Sequence, residues 1–125
     1  MKKRIESLIP IALEVLDEEF KDGKVPSEFN GYISAFGAGI IQSGLKPTIA
    51  IYENTKAGEN KNKLVKIILK VIKMYKNENI DIDSLLRYVI SSDNEIILKE
   101  LIKDCAIAIK LTIRTFEFKK ENWWV

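Results

Sequence analysis

Histidine is absent from the chain. That removes the commonest general base near neutral pH and the commonest transition-metal ligand. The lone cysteine, Cys105, lies in the run Cys105-Ala106-Ile107-Ala108-Ile109, a setting that reads as a small buried core residue and not a nucleophile. One cysteine without histidine leaves no ligand set for structural zinc. A serine nucleophile would need another base, and no Gly-x-Ser-x-Gly pattern is present. Carboxylates are the remaining catalytic type. Asp81 and Asp83 come closest to a metal-binding cluster; helix capping accounts for them, and a magnesium site is the competing reading. Gly37-Ala38-Gly39, continuing to Thr48, superficially echoes a phosphate-binding loop. Leu45 separates Gly44 from Lys46, however, Pro47 follows the lysine, and a helix precedes it, so the motif fails. The expectation is no catalytic residue, no metal site and no cofactor.

Binding chemistry is better represented. Residues 61–77 carry Lys61, Lys63, Lys66, Lys70, Lys73 and Lys76 with no acid among them. At 100° per residue, Lys63, Lys66, Lys70 and Lys73 share one helix stripe. It makes a positive ridge of roughly 15 Å that could follow a nucleic-acid backbone; a solvated lysine face is the plainer alternative. Lys99, Lys103, Lys110 and Arg114 form a second stripe, interrupted by Glu100 and Asp104. Lys46 stands alone at a turn that a phosphate could approach. The candidate RNA-contacting set is therefore Lys46, Lys63, Lys66, Lys70, Lys73, Lys110 and Arg114. Glu14, Asp17, Glu18 and Glu19 form an acidic patch, either a solvated face or a docking surface for a basic neighbour. Trp123 and Trp124 either fold back onto the domain or anchor a partner.

The elements that position these groups read as helices. Ile5, Leu8, Ile9, Ala12, Leu13, Leu16 and Phe20 recur at helical spacing and predict a first helix over 3–20. Pro10 should bend that helix or split off its first turn, because it removes a backbone donor. Residues 21–26 read as a turn. Ser27 caps a second helix that stops near Gly44, and Pro47 fits the first turn of a short third helix over 46–54. Residues 55–62 are a loop. A fourth helix covers 62–77, with Leu64, Ile67, Ile68, Val71, Ile72 and Tyr75 as its apolar face. Asp81 or Asp83 caps a fifth through Ile90, and Asp93 caps a sixth over 94–118. No pair of alternating segments joined by a hairpin turn is present, so strand content should be minor. The expected fold class is all-α, a single-domain bundle of about five to six helices over 1–125, with 119–125 set apart as a tail.

Composition agrees with a folded domain. The 125 residues are 46% hydrophobic and 30% charged, against disorder. Net charge is only +2, but it is unevenly spread. Residues 1–60 hold 7 basic and 9 acidic side chains, residues 61–125 hold 13 and 9, so the second half is the electropositive one. No apolar stretch approaches the about 20 residues of a membrane span. Glu6, Pro10 and Glu14 interrupt any secretory apolar region after the basic start. A cytoplasmic protein without membrane contact is expected.

The run from Tyr32 to Tyr52 resembles the small subunit of the type III-B CRISPR effector, the Cmr small subunit family. That family has a Tyr-led helix ending in Ile, a polar pair, Gly-Leu, and then an Ala-aromatic helix. Ile41, Gln42-Ser43, Gly44-Leu45, and Ala50 with Tyr52 match it. The resemblance implies a non-catalytic subunit in antiviral defence. Copies of it would stack along the guide RNA–target RNA duplex, against other effector-complex subunits, and offer positive surface to the target strand. Target cleavage would belong to other subunits. A helical adaptor bundle that ignores RNA, and the related type III-A small subunit, are the alternatives.

Overall fold

The apolar periodicity becomes six helices in the computed structural model, which describes residues 2–119. In chain order these residues form α1 (Lys2–Glu19), β1 (Lys24–Pro26), α2 (Glu28–Ser43), α3 (Leu45–Glu53), α4 (Glu59–Lys76), α5 (Leu85–Ile90), α6 (Glu95–Ile113) and β2 (Glu117–Lys119). The class is all-α, as expected. Trp123 and Trp124 lie outside the described residues.

The last helix is the hub. α6 packs against α1, α2, α4 and α5, and buries Leu98, Leu101, Ile102, Cys105, Ala108, Ile109 and Ile113. The core closes around it with Leu8, Ala12 and Leu16 of α1, Phe29, Ile33, Phe36 and Ile40 of α2, and Leu64, Ile67, Ile68, Val71 and Ile72 of α4. Asp104 is also buried there. It is held by Arg4, whose Nε donates to Oδ2 at 2.7 Å.

The α2–α3 corner follows the expectation from Gly44 and Pro47. Gly44 has φ 98 and ψ 163, a region essentially confined to glycine. Its N–H donates to the Ile40 carbonyl at 3.1 Å, and its own carbonyl accepts from Thr48 at 3.3 Å. The sharp turn folds α3 back onto α2. Gly39 makes the approach possible: a Cβ there would lie 3.0 Å from both Cγ2 and Oγ1 of Thr48. Tyr52 completes the corner by donating from its hydroxyl to the Tyr32 carbonyl at 2.8 Å, with its ring edge-on to Phe36.

Several local expectations are corrected. α1 runs unbroken through Pro10. Pro10 and Glu6 both face solvent, so the carbonyl that loses its donor can be hydrated. α4 begins at Glu59, earlier than expected. α5 is capped by Ser84, whose hydroxyl accepts from Arg87 N, and not by Asp81 or Asp83. α6 is capped by Asn94 and not by Asp93. It ends at Ile113, because the chain then turns into β2. β2 pairs in parallel with β1, Val25 opposite Phe118, so the expected turn over 21–26 contains a strand.

Cys105 is buried, and burial, then the neighbouring Asp104 carboxylate, push its thiol up from 9.0 to about 12. It is a core residue, as expected. The folded chain keeps a proton that the unfolded chain releases above pH 9.0. That stability is fully present below 9.0 and is lost as pH rises towards about 12. Cys105→Ala should therefore start from a lower Tm but decline less steeply on the alkaline side, read by thermal melts across that range. An unchanged slope would show that the thiol does not contribute. A second pair of melts tests the corner. A Cβ at Gly37 meets nothing within 4 Å, so Gly37→Ala should gain helix propensity, about 0.5–1 kcal/mol. Gly39→Ala must also displace Thr48, and overpacking costs about 1–3 kcal/mol. Its Tm should fall below that of Gly37→Ala; equal shifts would remove the close approach.

Candidate nucleic-acid interface

The lysines of α4 were expected to be an unopposed ridge, since their own helix supplies no nearby acid. The fold supplies partners from elsewhere. Lys70 is ion-paired with Glu19 at the end of α1. Lys73 donates to the Ile82 carbonyl and so holds the loop before α5. Lys76 lies 3.2 Å from the Tyr88 hydroxyl and 3.9 Å from Glu78. Lys61 sits over the rings of Tyr32 and Tyr52, at 5.2 and 5.5 Å, and Lys63 over Phe20 at 5.3 Å. Lys66 is exposed and has no hydrogen-bond or ionic partner among the described residues.

These side chains do not act as one ridge. Lys63, Lys66 and Lys70 line a groove of about 480 Å³ together with Glu19, Thr55 and Asn62. Glu59, in the first turn of α4, also lines it. The groove is built by three elements. The end of α1 brings Glu19, the α3–α4 connection brings Thr55, and the exposed face of α4 brings the lysines. Asn62 fixes the connection by donating from Nδ2 to the carbonyls of Tyr52, at 2.6 Å, and Asn54, at 3.1 Å. Three lysines thus face two carboxylates. An anion can be held between the ammonium groups, and Lys66 meets it without losing an internal partner. Lys70 must exchange Glu19 for it.

The other expected contacts lie elsewhere. Lys46 is paired with Glu95 at 2.9 Å, which ties the start of α3 to the start of α6. Lys110 lines a separate groove between α2 and α6. Arg114 is the exposed C-cap of α6. Lys73 belongs to the loop contact and not to the groove. Sequence spacing could not point to Glu19, because its contact with Lys70 crosses 51 positions.

Among the described residues no group of three His, Cys, Asp or Glu side chains could hold a metal ion. Ser43-Gly44-Leu45-Lys46 has the Ser-x-x-Lys spacing of serine–lysine hydrolases, which corrects the expectation that the chain lacks it. Ser43 and Lys46 sit on different helices across the Gly44 turn, and Lys46 is engaged by Glu95. A second cavity of about 470 Å³ contains Lys76, Glu78 and Tyr88. The Tyr88 hydroxyl donates to Glu78, and burial followed by this bond raises its pKa. These polar groups satisfy one another. No helix among the described residues is long and apolar enough to cross a membrane.

The family model described as CRISPR-associated protein (Cas_Cmr5) matches residues 5–104. No curated protein matches, and no solved structure matches. The matched span contains every residue of the lysine groove; Lys110 and Arg114 fall beyond it.

The Lys70–Glu19 pair makes a direct prediction. Glu19→Gln removes the internal competitor for Lys70, so single-stranded RNA should bind more tightly. The log–log salt slope should steepen by about 0.7, the contribution of one further phosphate contact on a single strand. Filter binding across a salt series checks this, and an affinity no higher than wild type would mean that Lys70 does not meet the strand.

Proposed function

We propose that this chain, which belongs to the Cas_Cmr5 family and is thus a CRISPR-associated subunit of a type III-B effector complex, works without catalysis. It lays its α4 lysine groove against the RNA that the complex holds. Its partners are other effector-complex subunits, a guide RNA–target RNA duplex, and copies of itself along that duplex. The family match sets aside the type III-A alternative.

One observation carries the RNA part. Lys63, Lys66 and Lys70 face a single groove, and Lys66 has no competing partner among the described residues. Seven residues of helix separate Lys63 from Lys70, roughly 10 Å of rise, so the contact tracks a backbone and reads no bases. Such binding is independent of sequence and steeply salt-sensitive. Thr55 and Asn62 add neutral polar groups beside the cations, where a ribose or phosphate oxygen can be hydrogen-bonded. On this reading the chain holds the target and its cleavage belongs to other subunits.

The combined variant Lys63→Gln, Lys66→Gln, Lys70→Gln should fold, since these side chains project from the outer face of α4. Its log–log salt slope for RNA should be shallower than wild type by about 1.4, the share of Lys63 and Lys66, because Glu19 already occupies Lys70 in the wild-type chain. In a pull-down of the assembled effector it should retain the protein subunits and lose target RNA at moderate salt. Undiminished RNA retention with an unchanged slope would overturn the groove as the contact.

A further inference from the structure

A second groove lies between α2 and α6, away from the α4 lysines. Its volume is about 200 Å³, and its lining includes Gly37, Ile41, Lys103, Ala106, Ile107 and Lys110. The floor is low because Gly37 and Ala106 have little or no side chain. The rims are apolar and exposed: Ile41 is 72% accessible and Ile107 44%. Leu111, 45% accessible, extends the same α6 face. Lysines bracket the apolar strip. Lys103 is held only by its own-helix neighbour Glu100, at 3.3 Å, and Lys99, Lys110 and Arg114 have no partner among the described residues. An occupant must therefore bring an apolar ridge with carboxylates on its flanks.

α1 carries such a ridge. Leu13 is 41% accessible and stands at the edge of an exposed face that carries Glu6, Pro10, Glu14 and Asp17. At 100° per residue these share the face opposite to Leu8, Ala12 and Val15. Glu6, Glu14, Asp17 and Glu18 have no hydrogen-bond or ionic partner among the described residues. The chain thus bears one apolar strip flanked by cations and one apolar edge flanked by anions.

We propose that the α2–α6 groove receives the acidic face of α1 from a second copy of this chain, with Leu13 seated over Gly37 and Ala106 and with Glu14 and Asp17 against Lys103 and Lys110. The proposal rests on the reading that copies stand side by side, and it names the two faces that meet. The contact needs no RNA. It joins unlike surfaces, so a copy bound through its groove still presents its own α1.

Sedimentation velocity on the full chain without RNA tests this. The average mass should rise with concentration at low salt, and less so near 1 M salt, where charges are screened beyond about 3 Å. Lys103→Glu with Lys110→Glu should weaken self-association by about tenfold or more, and so should Glu14→Lys with Asp17→Lys. Mixing these two variants should restore assembly, because the charges are then exchanged. Gly37→Leu fills the groove where a Cβ meets nothing within 4 Å; it should block assembly without lowering Tm. A chain that stays monomeric at every concentration overturns the proposal, as does association that ignores all three variants. A groove that captures an acidic helix of another protein while the chain alone stays monomeric also overturns it. The lysine-groove variant separates the two readings: it should self-associate normally. A chain that binds RNA yet stays monomeric sinks only the docking; one that assembles through these faces yet ignores RNA sinks only the RNA contact.

Discussion

The pairing of Arg4 with the buried Asp104 is the constraint on which the arrangement of this fold turns. The Asp104 side chain is only 3% exposed, and a carboxylate so placed is costly without a partner. Losing one member of such a pair typically costs about 3–5 kcal/mol. Arg4 therefore fixes where α1 lies along α6. α1 is a rigid rod of 18 residues, roughly 27 Å long, and fixing one end fixes the other. Its far end carries Glu19, which meets Lys70. A part-buried ion pair at one end of α1 thus decides which lysine of α4 has an internal competitor at the other.

Charge pattern and available charge are different quantities in this molecule. The spacing of the α4 lysines was legible at once, because a helix maps sequence onto a face by a fixed rotation. Their partners were not. Glu19, Glu78, the Ile82 carbonyl and the rings of Tyr32, Tyr52 and Phe20 come from other segments. A run of six lysines without a nearby acid is thereby reduced to a short groove around Lys66. Lys46 shows the same effect: isolated in sequence, it is paired with Glu95 across the fold.

The same division separates the elements that could be read from those that could not. The α2–α3 corner was readable because Gly44 and Pro47 act through their own backbones, one permitting a positive φ and the other tolerating a missing donor. The caps of α5 and α6 were misplaced by one residue or more. Ser84 is positioned by Glu53, which accepts from its hydroxyl at 2.7 Å and from Leu86 N at 3.2 Å, and no local rule gives α3 that role. Pro10 was expected to disturb α1, and the cost disappears because its side of the helix faces water. The β1–β2 pairing has no hairpin to announce it and depends on the whole bundle having closed.

That clip has a consequence for the order in which the chain folds. β1 pairs with β2 across more than 90 positions, and the pair that docks α1 on α6 joins residues 100 positions apart. Closing a loop of that length costs on the order of 4 kcal/mol of chain entropy, so neither contact can nucleate folding. α2, α3 and α4 can form local contacts as they leave the ribosome, and α1 can meet α4, but the burial of α1 and Val25 is completed only when α6 and Phe118 have emerged. Docking of α1 on α6 therefore comes late among the steps that build this fold. The acidic face of α1 becomes a fixed surface only once α6 has been made to receive its other side.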